Sequence, residues 1–183
     1  DLVLDDLSPE SPLRNNIKEI RKGAKRAAEL SQQMLAYSGK GKFVIKNIDI
    51  NELIKEITHL LNVSISKKHI IKFNLTENLL SVDADITQVR QVIMNLIINA
   101  SEAIDENIGV ISITTGAKEC DKSYFKKMYL HEELPGGLYN FIEVADTGAG
   151  MDEETVKKIF DPFFTTKFTG RGLGMSAVLG IIR

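Results

Sequence analysis

Cysteine is nearly missing: Cys120 stands alone among 183 residues, which excludes an intrachain disulfide and a cysteine metal cluster. Histidine is scarce as well, and His59, His69 and His131 are scattered without any zinc spacing. No long apolar run occurs. The longest, Val92 to Ile98, is interrupted by Asn95 and falls far short of a bilayer span, and no signal peptide opens the chain. Excess positive charge is also lacking, since 23 Lys and Arg face 25 Asp and Glu for a net charge of −2. No bulk attraction to nucleic acid or to an anionic membrane follows. These absences lead us to expect a soluble, cytoplasmic segment with no nucleic-acid partner and no direct membrane contact; the anchoring of a longer parent is left open. What is present is a hydrophobic fraction of 43% with 26% charged residues, enough to bury a core and inconsistent with general disorder. The length suits one domain with an appendage, or two small ones, and is too short for a barrel enzyme.

The chain divides near residue 42. Ser11 and Pro12 give a helix start, Gly39 and Gly41 its stop. Between them Leu13, Ile17, Ile20, Ala24, Ala27, Ser31, Met34 and Ser38 alternate spacings of four and three, a seam that suits a coiled coil or bundle. An ordinary amphipathic helix lying on its own domain would give the same pattern. After Gly41 come β-like runs at Phe43 to Ile48, a helix from about Asn51, a strand Ile70 to Leu75, a helix Asp85 to Ile104 and a strand Val110 to Thr115. Residues 116 to 137 read as a charged surface excursion without recognisable chemistry, followed by a strand Leu138 to Ala145, a short helix Glu153 to Ile159 and a last helix from about Leu173.

Chemistry concentrates in three places. On the helix Asp85 to Ile104, Asn95, Asn99 and Glu102 fall at i, i+4 and i+7, one polar stripe on an otherwise aliphatic helix. Asparagine is a poor helix former. A neutral amide oxygen, by contrast, serves a magnesium polyphosphate well because it ligates the cation without repelling phosphate. The helix alone equally allows amides that face water or cap a neighbour. Second, the strand ending in Ala145 delivers Asp146, then Thr147, Gly148, Ala149, Gly150 and Met151. An acid followed by bare backbone suits adenine, whose exocyclic amine it can accept from, although Asp-x-Gly is also a common turn. Third, Phe160 to Lys167 leads into Gly170, Arg171, Gly172, Leu173 and Gly174 at a helix start, where free amides and the charges of Lys167 and Arg171 suit phosphate. Neither the P-loop nor the dinucleotide fingerprint fits, since Met175 takes the place of the last glycine.

In order and spacing the Asn95/Asn99 helix, the run Asp146 to Met151, the run Phe160 to Lys167 and the run Gly170 to Gly174 resemble the N, G1, F and G2 boxes of sensor histidine kinases. The resemblance implies an α+β fold, a two-layer sandwich with a mostly antiparallel sheet, preceded by a long dimerisation helix. It divides the chain into residues 1–42, mainly the second helix of a dimerisation and phosphotransfer hairpin, and residues 43–183, the ATP-binding catalytic domain without its last strands. Implied with it are ATP and Mg²⁺ as cofactors, a homodimer through the leading helix, and a response-regulator receiver domain as partner. By the same resemblance Asn99 holds Mg²⁺, Asn95 supports the phosphates and Asp146 takes the adenine amine. Gly148, Gly150 and Met151 shape the adenine pocket, while Gly170, Gly172, Leu173 and Gly174, with Lys167 and Arg171, form the lid and contact phosphate. The catalytic pair implied is Asn95 and Asn99.

Three departures qualify the resemblance. Glu102 and Ala103 stand where many members carry Lys and Tyr, so no direct phosphate contact is expected from Glu102. The acceptor histidine belongs on a first hairpin helix represented at most by Asp1 to Leu7, and His59, His69 and His131 lack its surroundings, so structural or surface roles are expected for them. The last sheet strands are expected beyond Arg183. Two rival readings are an ATPase of the same superfamily, where a glutamate commonly occupies the Asn95 position, and a non-catalytic nucleotide-binding dimerisation module.

Overall fold

The structure, a computed structural model, describes residues 4, 7–8, 11–24, 44–61, 65–126, 128, 134–167, 170 and 172–182. Residues 13–24, the described part of the expected leading helix, are helical. Ser11 Oγ accepts from the Leu13 amide at 3.3 Å, a side-chain cap beside Pro12. Arg14 Nη1 donates to the carbonyls of Leu4 and Leu7, each at 2.7 Å, and so ties the preceding turn to the helix. Along the seam Leu13 is 55% and Ile20 66% exposed, with Ile17 between them half-buried. Its continuation through Ala27, Ser31, Met34 and Ser38 lies outside the described residues.

From residue 45 the described elements run β1 (Ile45–Ile48), α1 (Ile50–Leu61), β2 (His69–Leu75), β3 (Val82–Asp85), α2 (Ile86–Ile104), β4 (Gly109–Cys120), α3 (Lys122–Lys126), β5 (Gly137–Asp146), α4 (Glu153–Lys158) and α5 (Gly174–Ile182). Strands β2, β4 and β5 make one sheet, with β4 central, parallel to β2 and antiparallel to β5. A separate antiparallel pair joins β1 to β3. The fold is α+β, and the antiparallel pairs outnumber the parallel one, in keeping with the expectation.

The core lies between the sheet and the two long helices. Alternation along β4 turns Ile111, Ile113 and Thr115 inward, all fully buried. Leu53, Ile54, Ile57 and Leu61 from α1 and Ile93, Ile97, Ala100 and Ile104 from α2 close over them. Each isoleucine that goes from water to full burial contributes about 2 kcal/mol. Buried Thr115 stays satisfied, its hydroxyl donating to Asn51 Oδ1 at 2.7 Å and accepting from the Thr76 amide at 3.2 Å. The start of α2 is fixed by Asp85. Its Oδ1 accepts from the amides of Thr87 at 2.8 Å and Gln88 at 3.2 Å, while Oδ2 accepts from Val44 at 2.8 Å. The Val44 N–H first, then those of Gln88 and Thr87, hold this carboxyl below the ordinary aspartate range.

Two features differ from the sequence reading. The strand β3 is missing from the sequence reading: Val82 and Ala84 alternate with Asp83 and Asp85 over only four residues, and the strand forms where those two apolar side chains pack against the core and its backbone pairs with β1, Val82 opposite Ile48. The surface excursion is shorter than expected, since β4 runs on to Cys120, opposite Gly137. This is possible because Gly116 lets the Phe141 ring cross it; a Cβ there would meet the ring at 2.6 Å. Beyond it, Phe125 packs edge-on against Tyr124 and Tyr139, with ring centroids 5.7 and 4.9 Å away.

Candidate functional site

The helical period of α2 sorts its residues. Ile93, Ile97, Ala100 and Ile104 enter the core, which leaves Asn95, Asn99 and Glu102 together on the flank turned away from it. Gly174, the first residue of α5, sits against this flank: Asn95 Nδ2 donates to its carbonyl at 3.2 Å. A Cβ built on Gly174 would lie 3.7 Å from Asn99 Nδ2 and 3.9 Å from Asn95 Cγ, ordinary contact distances. Leu173 is buried and anchors the turn, accepting from the Ala177 amide at 3.0 Å and from Ser176 Oγ at 3.1 Å. The amides of the first turn of α5 therefore start at the asparagine pair, and such amides have no intrahelical acceptor. Among the described residues the Asn99 side chain has no hydrogen-bond partner, so its amide oxygen is available to a hard cation.

Strand β5 ends at Asp146, whose Oδ1 accepts from the Gly148 amide at 2.8 Å. Among the described residues the other carboxylate oxygen has no hydrogen-bond partner. Thr147 continues the ladder, its amide donating to the Val110 carbonyl at 3.2 Å and its hydroxyl accepting from the Val110 amide at 3.0 Å. The next two residues dock on the end of α2. The Ala149 amide donates to the Ala103 carbonyl at 3.1 Å, and a Cβ on Gly148 would stand 2.5 Å from the Ala103 carbonyl group. Gly148 is thus required by the approach of two backbones. Gly150 differs: its φ is +72° with nothing near a built Cβ, so there the demand is conformational. Met151 is 60% exposed. Asp152 then caps α4 through the Thr155 amide at 2.8 Å, which lowers its carboxyl pKa.

The third segment is a back-to-back pair of turns. Phe164 donates to the Asp161 carbonyl at 3.2 Å, closing a turn with Pro162 at its second position and Phe163 at its third. Phe163 has φ +68° and is 64% exposed, a conformation normally left to glycine. Its amide donates to the Gly172 carbonyl at 2.8 Å, and Gly172, at φ +65°, has no room for a Cβ against the Phe163 carbonyl. Gly170 similarly lies against the Thr165 hydroxyl. Lys167 reaches across to α2, where its ammonium contacts Glu102 Oε2 at 2.5 Å. Arg171 lies outside the described residues.

The clusters named from sequence therefore meet the same stretch of α2. Asn95 bonds to Gly174 with Asn99 alongside, Glu102 holds Lys167, and Ala103 carries Gly148 and Ala149. Residues 95 to 103 span about 12 Å of helix. Gly150 and Met151 sit further out, on open surface. Sequence reading missed the Ala103 carbonyl, since main-chain acceptors leave no trace in residue type, and the partnership of Glu102, whose mate is 65 residues away. His69, expected to have a structural or surface role, bonds through Nδ1 to Ser101 Oγ and through Nε2 to the Asp105 carbonyl, both at 2.9 Å, at the end of α2. His59 is exposed on α1, and His131 is outside the described residues.

Comparison with known proteins decides the relationship. Residues 84–183 match the model of the histidine kinase-, DNA gyrase B-, and HSP90-like ATPase family. The chain belongs to this family. Within this ATPase family it is similar to histidine kinases. Sensor kinase CckA of Brucella abortus (strain 2308) is 35% identical over an alignment of 188 positions that covers 100% of this chain and 19% of CckA. The solved catalytic domain of the histidine kinase ThkA is 35% identical with a TM-score of 0.59, over 76% of this chain and 80% of that one. ThkA in complex with the response regulator protein TrrA is 29% identical with a TM-score of 0.58, over 90% of this chain and 44% of that one. The chain spans between about a fifth and a third of the length of the curated relatives it matches.

Proposed function

We propose that this chain is the catalytic portion of a sensor histidine kinase, which binds Mg·ATP and transfers the γ-phosphoryl group to a histidine on a dimerisation hairpin for relay to a response regulator. The observation that carries the reading is the convergence on residues 95–103 of α2, which gathers an amide pair, an acid at a strand end and a glycine-bounded helix start along one stretch of helix. Asp146 accepts the adenine amine through the oxygen that Gly148 leaves free, over a floor made by Gly148, Gly150 and Met151. Asn95 holds the start of α5 in place, so that amides around Gly172, Leu173 and Gly174 face the phosphates. Gly170, Gly172 and Gly174 let the lid turn back on itself, and Lys167 and Arg171 add charge to it. Asn99 would hold Mg²⁺, which when bound neutralises charge developing on the phosphates. Phosphoryl transfer asks for positioned phosphates, metal and acceptor rather than covalent help from this domain. The acceptor nitrogen attacks phosphorus, the bond to the bridging oxygen breaks, and ADP leaves.

Residues 1–42 serve in this reading as the second hairpin helix, and residues 43–183 as the catalytic domain. The exposure of Leu13 and Ile20 on the seam supports a homodimer through that helix, and likeness to a kinase solved with its response regulator supports a receiver-domain partner. An ATPase reading is disfavoured because Asn95 is an amide, bonded to Gly174, and cannot take a proton from water. The test is calorimetric titration with Mg·ATP. Asn99→Ala and Asp146→Asn are each expected to abolish or strongly weaken binding, and unchanged titrations for both would refute the site. Radiolabel transfer to a supplied hairpin tests the kinase step; binding without transfer favours a nucleotide-binding dimerisation module instead.

A further inference from the structure

The flank of α2 that carries Asn95 and Asn99 bears no cation. The charged residues of the helix are Arg90 and Glu102, and Arg90 is committed to Glu56 on α1 through bonds of 2.9 and 3.2 Å. Glu102 lies three residues past Asn99 on the same flank, about 4.5 Å further along the axis. A bare carboxylate there would repel a polyphosphate. It is not bare: Lys167 crosses from the segment after Phe164 and places its ammonium on Glu102 Oε2. The root of Lys167 is fixed too, since its amide donates to Thr165 Oγ1 at 3.1 Å and its carbonyl accepts from Gly170 at 3.2 Å. Both side chains stay partly open, 37% and 51% exposed, and an ammonium with one donor engaged has two more to offer.

We infer that Glu102 is a positioning residue that aims Lys167 at the terminal phosphates of the nucleotide, so that the pair selects for a triphosphate over shorter ligands. This inference rests on the nucleotide reading above. A lysine held by a glutamate from a neighbouring helix is an arrangement protein kinases also use to set phosphates, on an unrelated fold. The pairing gives Glu102 opposite effects in two backgrounds. With Lys167 present it orders a cation; with Lys167 gone it leaves an uncompensated negative charge beside the phosphates.

The experiment is titration of adenosine, ADP and ATP, each with saturating Mg²⁺, into the full chain and into Glu102→Gln, Lys167→Gln and the double variant, with melting temperature recorded for each. Lys167→Gln is expected to weaken ATP about tenfold or more. Glu102→Gln should weaken it about threefold to fivefold, as the loss of an exposed pair allows. The double variant should bind ATP better than Lys167→Gln alone, while adenosine binds all four proteins alike. Glu102→Gln that binds ATP as well as wild type or better overturns the inference, as does a fall in adenosine affinity that tracks the loss of ATP. Wild type that takes up neither adenosine nor ATP removes the nucleotide site itself, and the inference with it.

Discussion

Substituting Gly148 by Ala separates two reasons a glycine can be needed. The Cβ would stand 2.5 Å from both the carbon and the oxygen of the Ala103 carbonyl, and both are main-chain atoms at the end of a helix whose other face is core. Neither can swing aside as a side-chain tip would. Forcing the two backbones apart costs about 1–3 kcal/mol as overpacking. Separation also breaks the bond from the Ala149 amide to Ala103, worth about 1 kcal/mol. The sum is about 2–4 kcal/mol, which at an ordinary urea slope lowers the unfolding midpoint by about 1–2 M. Gly150→Ala is the control: it meets nothing, and its φ of +72° costs an alanine only about 1 kcal/mol. Urea unfolding of both variants without nucleotide is the assay. If Gly148→Ala shifts the midpoint no more than Gly150→Ala, the contact with Ala103 is not what excludes a side chain, and the docking of this turn on α2 has been misread.

Phe163→Gly should raise stability by about 1 kcal/mol, because it relieves a φ of +68° in a side chain that is 64% exposed and has little burial to lose. A lowered melting temperature would mean that the ring contributes packing its exposure does not suggest. Asp85→Ala should cost about 1 kcal/mol at neutral pH through loss of the helix cap alone. The carboxyl is depressed by Val44, Gln88 and Thr87. Its contribution is therefore present above the ordinary aspartate pKa of about 3.9 and is lost as pH falls through the lower native value. Urea midpoints of wild type and Asp85→Ala should accordingly converge on going from pH 7 to pH 3, and a gap of constant size would contradict the charge-based account.

What sequence could and could not disclose follows the range of the interactions. Helix α2 was legible nearly to the residue, since Asp85 caps its own neighbours and the isoleucine period is local. The asparagine stripe, the acid at the strand end and the glycine-rich helix start were legible because each is a short pattern of residue types. Strand β3 was not, since its alternation of Val82 and Ala84 with two aspartates is only four residues long and its partner β1 is remote in sequence. Nor was the outer half of β4, where Lys118 and Glu119 look like loop and the deciding event is the Phe141 ring lying on Gly116. For Glu102 the resemblance implies no phosphate contact, because many members carry Lys there, and nothing nearby in sequence points to its partner Lys167. Arg171 and the outer seam of the leading helix fall outside the described residues.

The join between Ala103 and Ala149 is made of peptide groups alone. Neither methyl takes part in it, so the chain can exchange those two residues for others that keep a helix end and a turn without disturbing the wall they build. Tolerance to substitution is thereby uneven along the turn: Gly148 admits no side chain against Ala103, Thr147 is held by its hydroxyl, and Ala149 is free to vary because the wall it builds is main chain.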